Sequence, residues 1–220
     1  GIVSNFSSTG PTLDGRIKPD LVAPGQMICS ARAAEAALAS GGICSDAFHS
    51  DGTTPLYMTL SGSSMATPVV AGAAAMARQF LREQIPDPIS EPRSDLIKAL
   101  LINGAEDLGE SDIPNEREGW GQINLSNSLY PNNNTTSVFY DTGRSILPGH
   151  SFIYTFEMLD DSGFDATLAW NDLEGSATAM QNSSRLVNDL DITITSPDGE
   201  IYRGNNFNNG FSIIDGTNDN

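Results

Sequence analysis

An α/β unit followed by an all-β sandwich is the fold class this sequence predicts, and three observations predict it. A small-residue turn, Leu60-Ser61-Gly62-Ser63-Ser64, runs into Val69-Val70-Ala71-Gly72-Ala73-Ala74-Ala75-Met76-Ala77, which is apolar on every face like a helix in the middle of a core. Short apolar runs closed by Pro and Gly precede it and read as strands and turns. After Pro131-Asn132-Asn133-Asn134 the character changes to short alternating segments separated by turns, the pattern of a sandwich. The boundary falls there, with a first unit over 1–131 and a second over 132–220.

In chain order, Ile2 to Ser8 and Lys18 to Gly25 read as short strands broken by the turn signals Gly10-Pro11 and Asp14-Gly15. Met27 to Arg32 reads as a core strand. The Ala-rich and then polar stretch from Ala33 to Thr54 is long and irregular, as functional or disordered loops are, and reads as a surface insertion. Tyr57 to Leu60 is the strand that delivers the Ser61–Ser64 turn. Pro68 places the start of the following helix close to Ser64, because Pro belongs in a first turn, and the helix should run to about Arg82 or Glu83. Ile85-Pro86-Asp87-Pro88 breaks the chain. A second helix is then expected, with Ser94 as N-cap, Leu96 to Ile102 as the buried face and Gly104 as the stop.

In the second unit, Ser137 to Tyr140, Ser151 to Met158, Ala166 to Trp170 and Leu190 to Thr195 are strand-like, with Phe152, Tyr154, Phe156 and Met158 alternating onto one face. Ser196-Pro197-Asp198-Gly199 is a turn into a further strand around Ile201-Tyr202.

Ser64 sits where helix N–H groups lack partners and the macrodipole favours negative charge, so its own backbone N–H is placed to stabilise an oxyanion. Gly62 lets the backbone approach a ligand closely. On spacing alone, Ser63 or Ser64 is better explained as an N-cap, since small-residue turns before helices are common.

Gly62-Ser63-Ser64-Met65-Ala66-Thr67-Pro68 with Val70-Ala71-Gly72 resembles the nucleophile motif of the subtilisin-like serine peptidases, the subtilases, usually spelled Gly-Thr-Ser-Met-Ala-[Ser/Thr]-Pro-His-Val-Ala-Gly. It departs at Ser63, which keeps a hydroxyl, and at Val69, where the usual His is not catalytic. Phe6-Ser7-Ser8 to Pro11 and Asp14-Gly15-Arg16-Ile17-Lys18-Pro19-Asp20 to Gly25 are similar to a second segment of a subset of that family. Gly119-Trp120-Gly121-Gln122-Ile123-Asn124 resembles the segment that closes its catalytic domain. Leu168-Ala169-Trp170-Asn171-Asp172 and Leu186-Val187-Asn188-Asp189-Leu190-Asp191 resemble the jelly-roll-like domain of its alkaline oxidation-resistant members.

The resemblance implies the C-terminal part of a subtilase catalytic domain followed by an incomplete jelly-roll-like sandwich, and a serine endopeptidase that passes through an acyl-enzyme at Ser64. Its site motif would include Gly62, Ser63 and Met65. The catalytic Asp, the catalytic His and the oxyanion Asn would then lie upstream of Gly1, leaving this stretch inactive by itself. Of the two histidines, His49 lies between Asp46 and Asp51, which would keep it charged and a poor base, and His150 follows a Pro-Gly turn. A subtilase relative that has lost its base and persists as a scaffold is the alternative. An independent carbohydrate- or protein-binding sandwich is disfavoured, because Trp170 lies among apolar strand residues and reads as core.

The family also implies structural calcium, and oxygen ligands gather in Asn171, Asp172, Asn188, Asp189 and Asp191, although alternation with Leu190 and Ile192 is equally that of a half-exposed strand. Net charge −17 and a pI near 4.1 exclude nucleic acid and anionic membrane as natural partners. No apolar run spans a bilayer, so membrane insertion of this segment is not expected. An extracellular monomer acting on protein or peptide substrates is the resulting expectation. Cys29 and Cys44, the only cysteines, are equally compatible with a disulfide and with two free thiols.

Overall fold

The computed structural model describes residues 1–33, 35, 44, 48, 51–84, 91–109, 113–131, 135–139, 146–159, 163–180 and 183–217. Strand β1 (Ile28–Ala31) pairs antiparallel with β2 (Tyr57–Leu60), bringing Cys29 opposite Thr59. Helix α1 (Ser63–Gln84) follows, then α2 (Ser94–Asn103) and the short α3 (Leu125–Leu129). In the C-terminal part, β3 (Thr193–Thr195), β4 (Ile201–Asn208) and β5 (Phe211–Ile214) form one antiparallel sheet in that order.

The core is a three-helix junction. Ala73, Ala77 and Leu81 recur every four residues, which puts them on one stripe of α1, and that stripe packs on Leu100 and Leu101 of α2 and Leu129 of α3. The edge-to-face contacts Phe80–Tyr130 and Phe80–Phe139, with ring centroids 5.5 and 6.2 Å apart, close its rim. The expectation of a helix buried on every face is therefore corrected. Val69 is 38% exposed and Met76 56%, because the described residues cover only one side of α1.

Several local expectations shift by a few residues. α1 starts at Ser63, but Pro68 is its sixth residue and lies inside the helix, where its missing N–H leaves the Ser64 carbonyl without the usual i+4 donor. Ser94 begins α2 and does not cap it; the N-cap is Arg93, which makes no side-chain capping bond. Gly104 ends that helix at φ −92, so its value is not a left-handed turn. A Cβ there would lie 2.4 Å from the Ser128 backbone nitrogen, so glycine is needed for the approach of α3. Asn124 caps α3, its side chain accepting from the Asn127 N–H at 3.1 Å. The Pro86 break and His49 lie outside the described residues.

The β content is smaller than the alternation suggested. β1 is exposed at three of its four residues, so the Met27–Arg32 run is a surface hairpin strand and not a core one. No strand is assigned over Ile2–Ser8, Ser151–Met158 or Ala166–Trp170, and the expected Leu190 strand shrinks to Thr193–Thr195. The Ser196–Gly199 turn forms as expected, with the Gly199 N–H donating to the Ser196 carbonyl at 3.0 Å, and it hands the chain to β4. Among the described residues of the C-terminal part, the assigned strands form one three-stranded sheet. Alternation marks one face as the less exposed, and that survives: Phe152, Tyr154, Phe156 and Met158 are 42–44% exposed where Ile153 is 87%.

Cys29 and Cys44 are disulfide-bonded, closing a loop with a sequence separation of 15, and Cys44 Sγ lies 3.1 Å from the Thr59 hydroxyl. A loop of that size constrains the unfolded chain by about 3 kcal/mol. The double variant Cys29→Ser/Cys44→Ser is expected to lose about 2–3 kcal/mol in urea unfolding of the intact protein; an unchanged midpoint would show that the tether adds no stability.

The C-terminal part is joined to the first by specific contacts. Trp120 meets Phe207 edge-to-face at 5.7 Å, Asn171 Nδ2 donates to the Ser94 hydroxyl at 2.9 Å, and Asn103 Nδ2 donates to the Thr167 hydroxyl at 3.1 Å. Asp14 Oδ2 accepts from the Arg185 backbone N–H at 3.2 Å while its two oxygens also receive the Arg16 guanidinium. The Arg16 hydrogen bonds, with help from Thr12, hold the Asp14 carboxyl well below the usual carboxylate range. A depressed carboxylate stabilises the folded state above its ordinary pKa of about 3.9, and that contribution is lost as pH falls below this value toward the folded pKa. Melting temperature should therefore drop between about pH 4 and pH 2 more steeply in the wild type than in Asp14→Asn. Parallel curves would show that Asp14 contributes nothing to acid sensitivity.

Candidate functional site

Ser64 is the second residue of α1 and is exposed. The first turn closes on Gly62, whose carbonyl accepts from the Met65 N–H at 3.0 Å and the Ala66 N–H at 3.3 Å. Among the described residues, no backbone carbonyl takes up the N–H groups of Ser63 and Ser64, and no side chain is bonded to the Ser64 hydroxyl. Ser63 does not cap the helix through its side chain; its carbonyl accepts the Thr67 hydroxyl at 2.9 Å. Gly62, at φ +156, makes the turn from β2 into α1, and Met65 lies half-buried beneath it. The four motif residues thus sit together on the β2–α1 corner.

That corner is held from the side by the segment 20–27. Gly62 donates its N–H to the Gly25 carbonyl at 2.8 Å, and Met27 donates its N–H to the Ser61 hydroxyl at 2.8 Å. Gly25 has no room for a side chain, since a Cβ would lie 2.8 Å from the Gly62 oxygen and 3.1 Å from the Ala66 Cβ. Behind it, the Val22 N–H reaches the Gly121 carbonyl at 3.0 Å, the Ile123 N–H reaches Val22 at 2.9 Å, and the Trp120 N–H reaches Asp20 at 3.1 Å. The Gly119–Asn124 segment is therefore wired to the serine corner through the eight residues 20–27. Its own base is Glu118, fully buried, whose carboxylate accepts from the Leu108 N–H at 2.9 Å and Asn115 Nδ2 at 3.0 Å. A buried carboxylate with both oxygens bonded is a structural anchor. Asp20 lies between Lys18 and Lys98; half-burial works against its charge, but the two ammonium groups outweigh that and lower its pKa. Its carboxylate is paired with these two lysine side chains.

The sequence reading did not single out Gly25, Met27 or Ser61. A signal was present, since Pro24-Gly25 and Ser61-Gly62 are both small-residue turns, but nothing in one dimension says that they touch.

The other predicted residues lie elsewhere. His150 is exposed, with Nδ1 3.3 Å from the Pro148 carbonyl. Asp172 does not present free oxygens: it accepts from the backbone N–H groups of Leu173, Val187 and Asn188 at 2.8, 2.7 and 3.0 Å and from Asn188 Nδ2 at 2.7 Å. The Val187 N–H bond leads in lowering its pKa. Such a ring of donors satisfies the charge that a cation would otherwise neutralise. Asn188 spends its side chain and its backbone N–H on Asp172, and its carbonyl accepts Trp170 Nε1 at 3.1 Å. Asp191 is an exposed residue just ahead of β3, and Asp189 is likewise exposed. Among the described residues, no three His, Cys, Asp or Glu side chains gather as a metal-binding group. The Asp172–Asn188 cluster thus fits a loop staple and does not fit a calcium site.

The Subtilase family model matches residues 1–121, the span that contains the serine corner, the 20–27 segment and Gly119–Gly121. Serine protease/ABC transporter B family protein tagA of Dictyostelium discoideum is 34% identical over 93% of this chain, and tagD of the same organism is 30% identical over 98%. These matches cover 12% and 14% of those two proteins, so the chain spans about an eighth of the length of these relatives. Serine protease AprX of Bacillus subtilis is 37% identical over 58% of the chain and 25% of its own length. No described helix is long and apolar enough to cross a membrane. With more than half of its length matched and the nucleophile motif lying inside the match, the chain belongs to the subtilase family.

Proposed function

We propose that Ser64 is the nucleophile of a serine endopeptidase, and that the remaining catalytic groups come from polypeptide outside these 220 residues. The observation that carries this is an exposed serine at the free N–H end of α1, on a corner spelled Gly62-Ser63-Ser64-Met65, within the span that matches the family. In the reaction, Ser64 Oγ attacks the peptide carbonyl once a base takes its proton, and its own N–H donates to the oxygen that becomes negative. The intermediate collapses with cleavage of the peptide C–N bond, the base passing its proton to the leaving amine, and water then hydrolyses the acyl-enzyme to release the acid and free Ser64. Two partners are needed that the described residues do not supply: an imidazole base with its orienting carboxylate, and a side-chain oxyanion donor. The uncovered flank of α1, with Val69 and Met76 exposed, is consistent with a catalytic domain completed by further chain.

Residues 1–131 would then form the C-terminal portion of the catalytic domain, and 132–220 part of a jelly-roll-like sandwich. An extracellular monomer cleaving proteins or peptides is consistent with the disulfide and the acidic composition. Calcium is retained only as a stabiliser bound elsewhere in the whole protein, since the Asp172 cluster does not fit it.

The test is fluorophosphonate labelling of the full-length protein beside Ser64→Ala. Labelling of the wild type alone is expected. Equal labelling of both would show that another residue is the nucleophile, and labelling of neither would favour the alternative of a scaffold that has lost its base.

A further inference from the structure

We propose that Ser61 is a positioning residue for Ser64, acting through a clamp with the Gly25–Met27 turn; this deepens the reading of Ser64 as nucleophile and rests on it. Two hydrogen bonds of 2.8 Å straddle the corner. One joins the backbones of Gly62 and Gly25, and the other is made by a side chain, the Ser61 hydroxyl accepting from the Met27 N–H.

Met27 has φ 55, a left-handed conformation that an unbranched non-glycine residue adopts only when its surroundings impose it. Met27 lies one residue before the β1–β2 ladder begins at Ile28, and its N–H donates to the hydroxyl of Ser61, one residue past Leu60, the partner of Ile28. Ser61 and Gly62 are the only residues between the end of β2 and the start of α1. Both are pinned to one turn, so the direction in which α1 leaves the corner, and with it the location of Ser64 Oγ, is set by that pair of bonds. The turn is in turn anchored through Val22 and Asp20 to Gly119–Ile123. Ser61 is exposed, so water competes for its hydrogen bond and its removal should barely change stability. Its effect belongs in the reaction rate, where a displacement of about 1 Å at the attacking atom slows the chemistry on the order of 100-fold.

The experiment measures second-order fluorophosphonate acylation, kcat and KM for a peptide substrate, and melting temperature on the full-length protein. Ser61→Ala is expected to slow acylation and lower kcat on the order of 10- to 100-fold with KM within about twofold and little change in melting. Ser61→Thr, which keeps the hydroxyl, is expected to restore most of the rate. Wild-type acylation by Ser61→Ala, or a Ser61→Thr as slow as Ser61→Ala, would overturn the clamp. If Ser61→Ala does not fold, Ser61→Cys, with its weaker acceptor, should give an intermediate rate, and a wild-type rate there would overturn it as well. Ser64→Ala, run in parallel, separates the two claims: labelling that survives in it sinks the nucleophile reading itself, whereas its absence beside a fast Ser61→Ala sinks only the clamp.

Discussion

Ser64→Ala in the full-length protein is expected to lower kcat for peptide hydrolysis about a million-fold, a magnitude borrowed from subtilisin itself, the family's namesake. Covalent catalysis accounts for the size. Without Oγ no acyl-enzyme forms, so the base has nothing to deprotonate and the two-step route closes. The expected KM is nearly unchanged, because the hydroxyl makes its decisive interaction only in the transition state. α1 should also keep its start: the first turn closes on the Gly62 carbonyl and not on the Ser64 side chain, so this serine is not a cap. A variant that loses activity and also melts far below the wild type would mean that Ser64 acts as a structural cap after all. Circular dichroism melts beside the kinetics decide this.

Gly119→Ala is expected to abolish folding of the first unit. Gly119 has φ +62, and a Cβ there would lie 1.9 Å from the Pro19 oxygen and 2.7 Å from the Asp20 oxygen, both backbone atoms that cannot swing away. The left-handed conformation alone costs about 1–2 kcal/mol with a Cβ. The collision must additionally push apart the Asp20–Trp120 bond and the Glu118 anchor, and combined losses above about 4–5 kcal/mol exhaust much of the stability of an ordinary domain. Gly15→Ala is the matched control. Gly15 has φ +88 with nothing within 4 Å of the added Cβ, so only the conformational cost of about 1–2 kcal/mol applies. Soluble yield and urea midpoints should rank wild type, Gly15→Ala, Gly119→Ala in that order; equal values for the two variants would show that the Pro19 contact is readily relieved. Because Gly119 leads through Val22 to Gly25, damage there should also reach the serine corner.

The two longer helices were legible because their cause is local, whereas the five-residue α3 was not read from the sequence. A small-residue turn at Ser61-Gly62 before a long apolar run carrying Pro68 signals a helix start, and α1 begins within one residue of the expected place. The strands were less legible. Phe152, Tyr154, Phe156 and Met158 alternate as a strand does, yet pairing needs a partner edge, and alternation says nothing about where that edge lies. Asp172 and Asn188 illustrate the same gap in the site. Their oxygens suggested a cation, but whether a carboxylate faces a metal or a ring of N–H groups depends on a backbone path that joins residues 16 positions apart.

What the sequence by itself determined is the serine corner and the family: the order of Gly62, Ser63, Ser64 and Met65 before an apolar helix is a contiguous pattern, and contiguous patterns survive without coordinates. Only the tertiary structure decided what holds that corner. Gly25 meets Gly62 across 37 residues and Met27 meets Ser61 across 34, and Asp14 reaches Arg185 across 171. Contacts of that range arise when the packed helices and the buried Glu118 loop bring distant backbone into register, and no propensity at either end encodes the meeting.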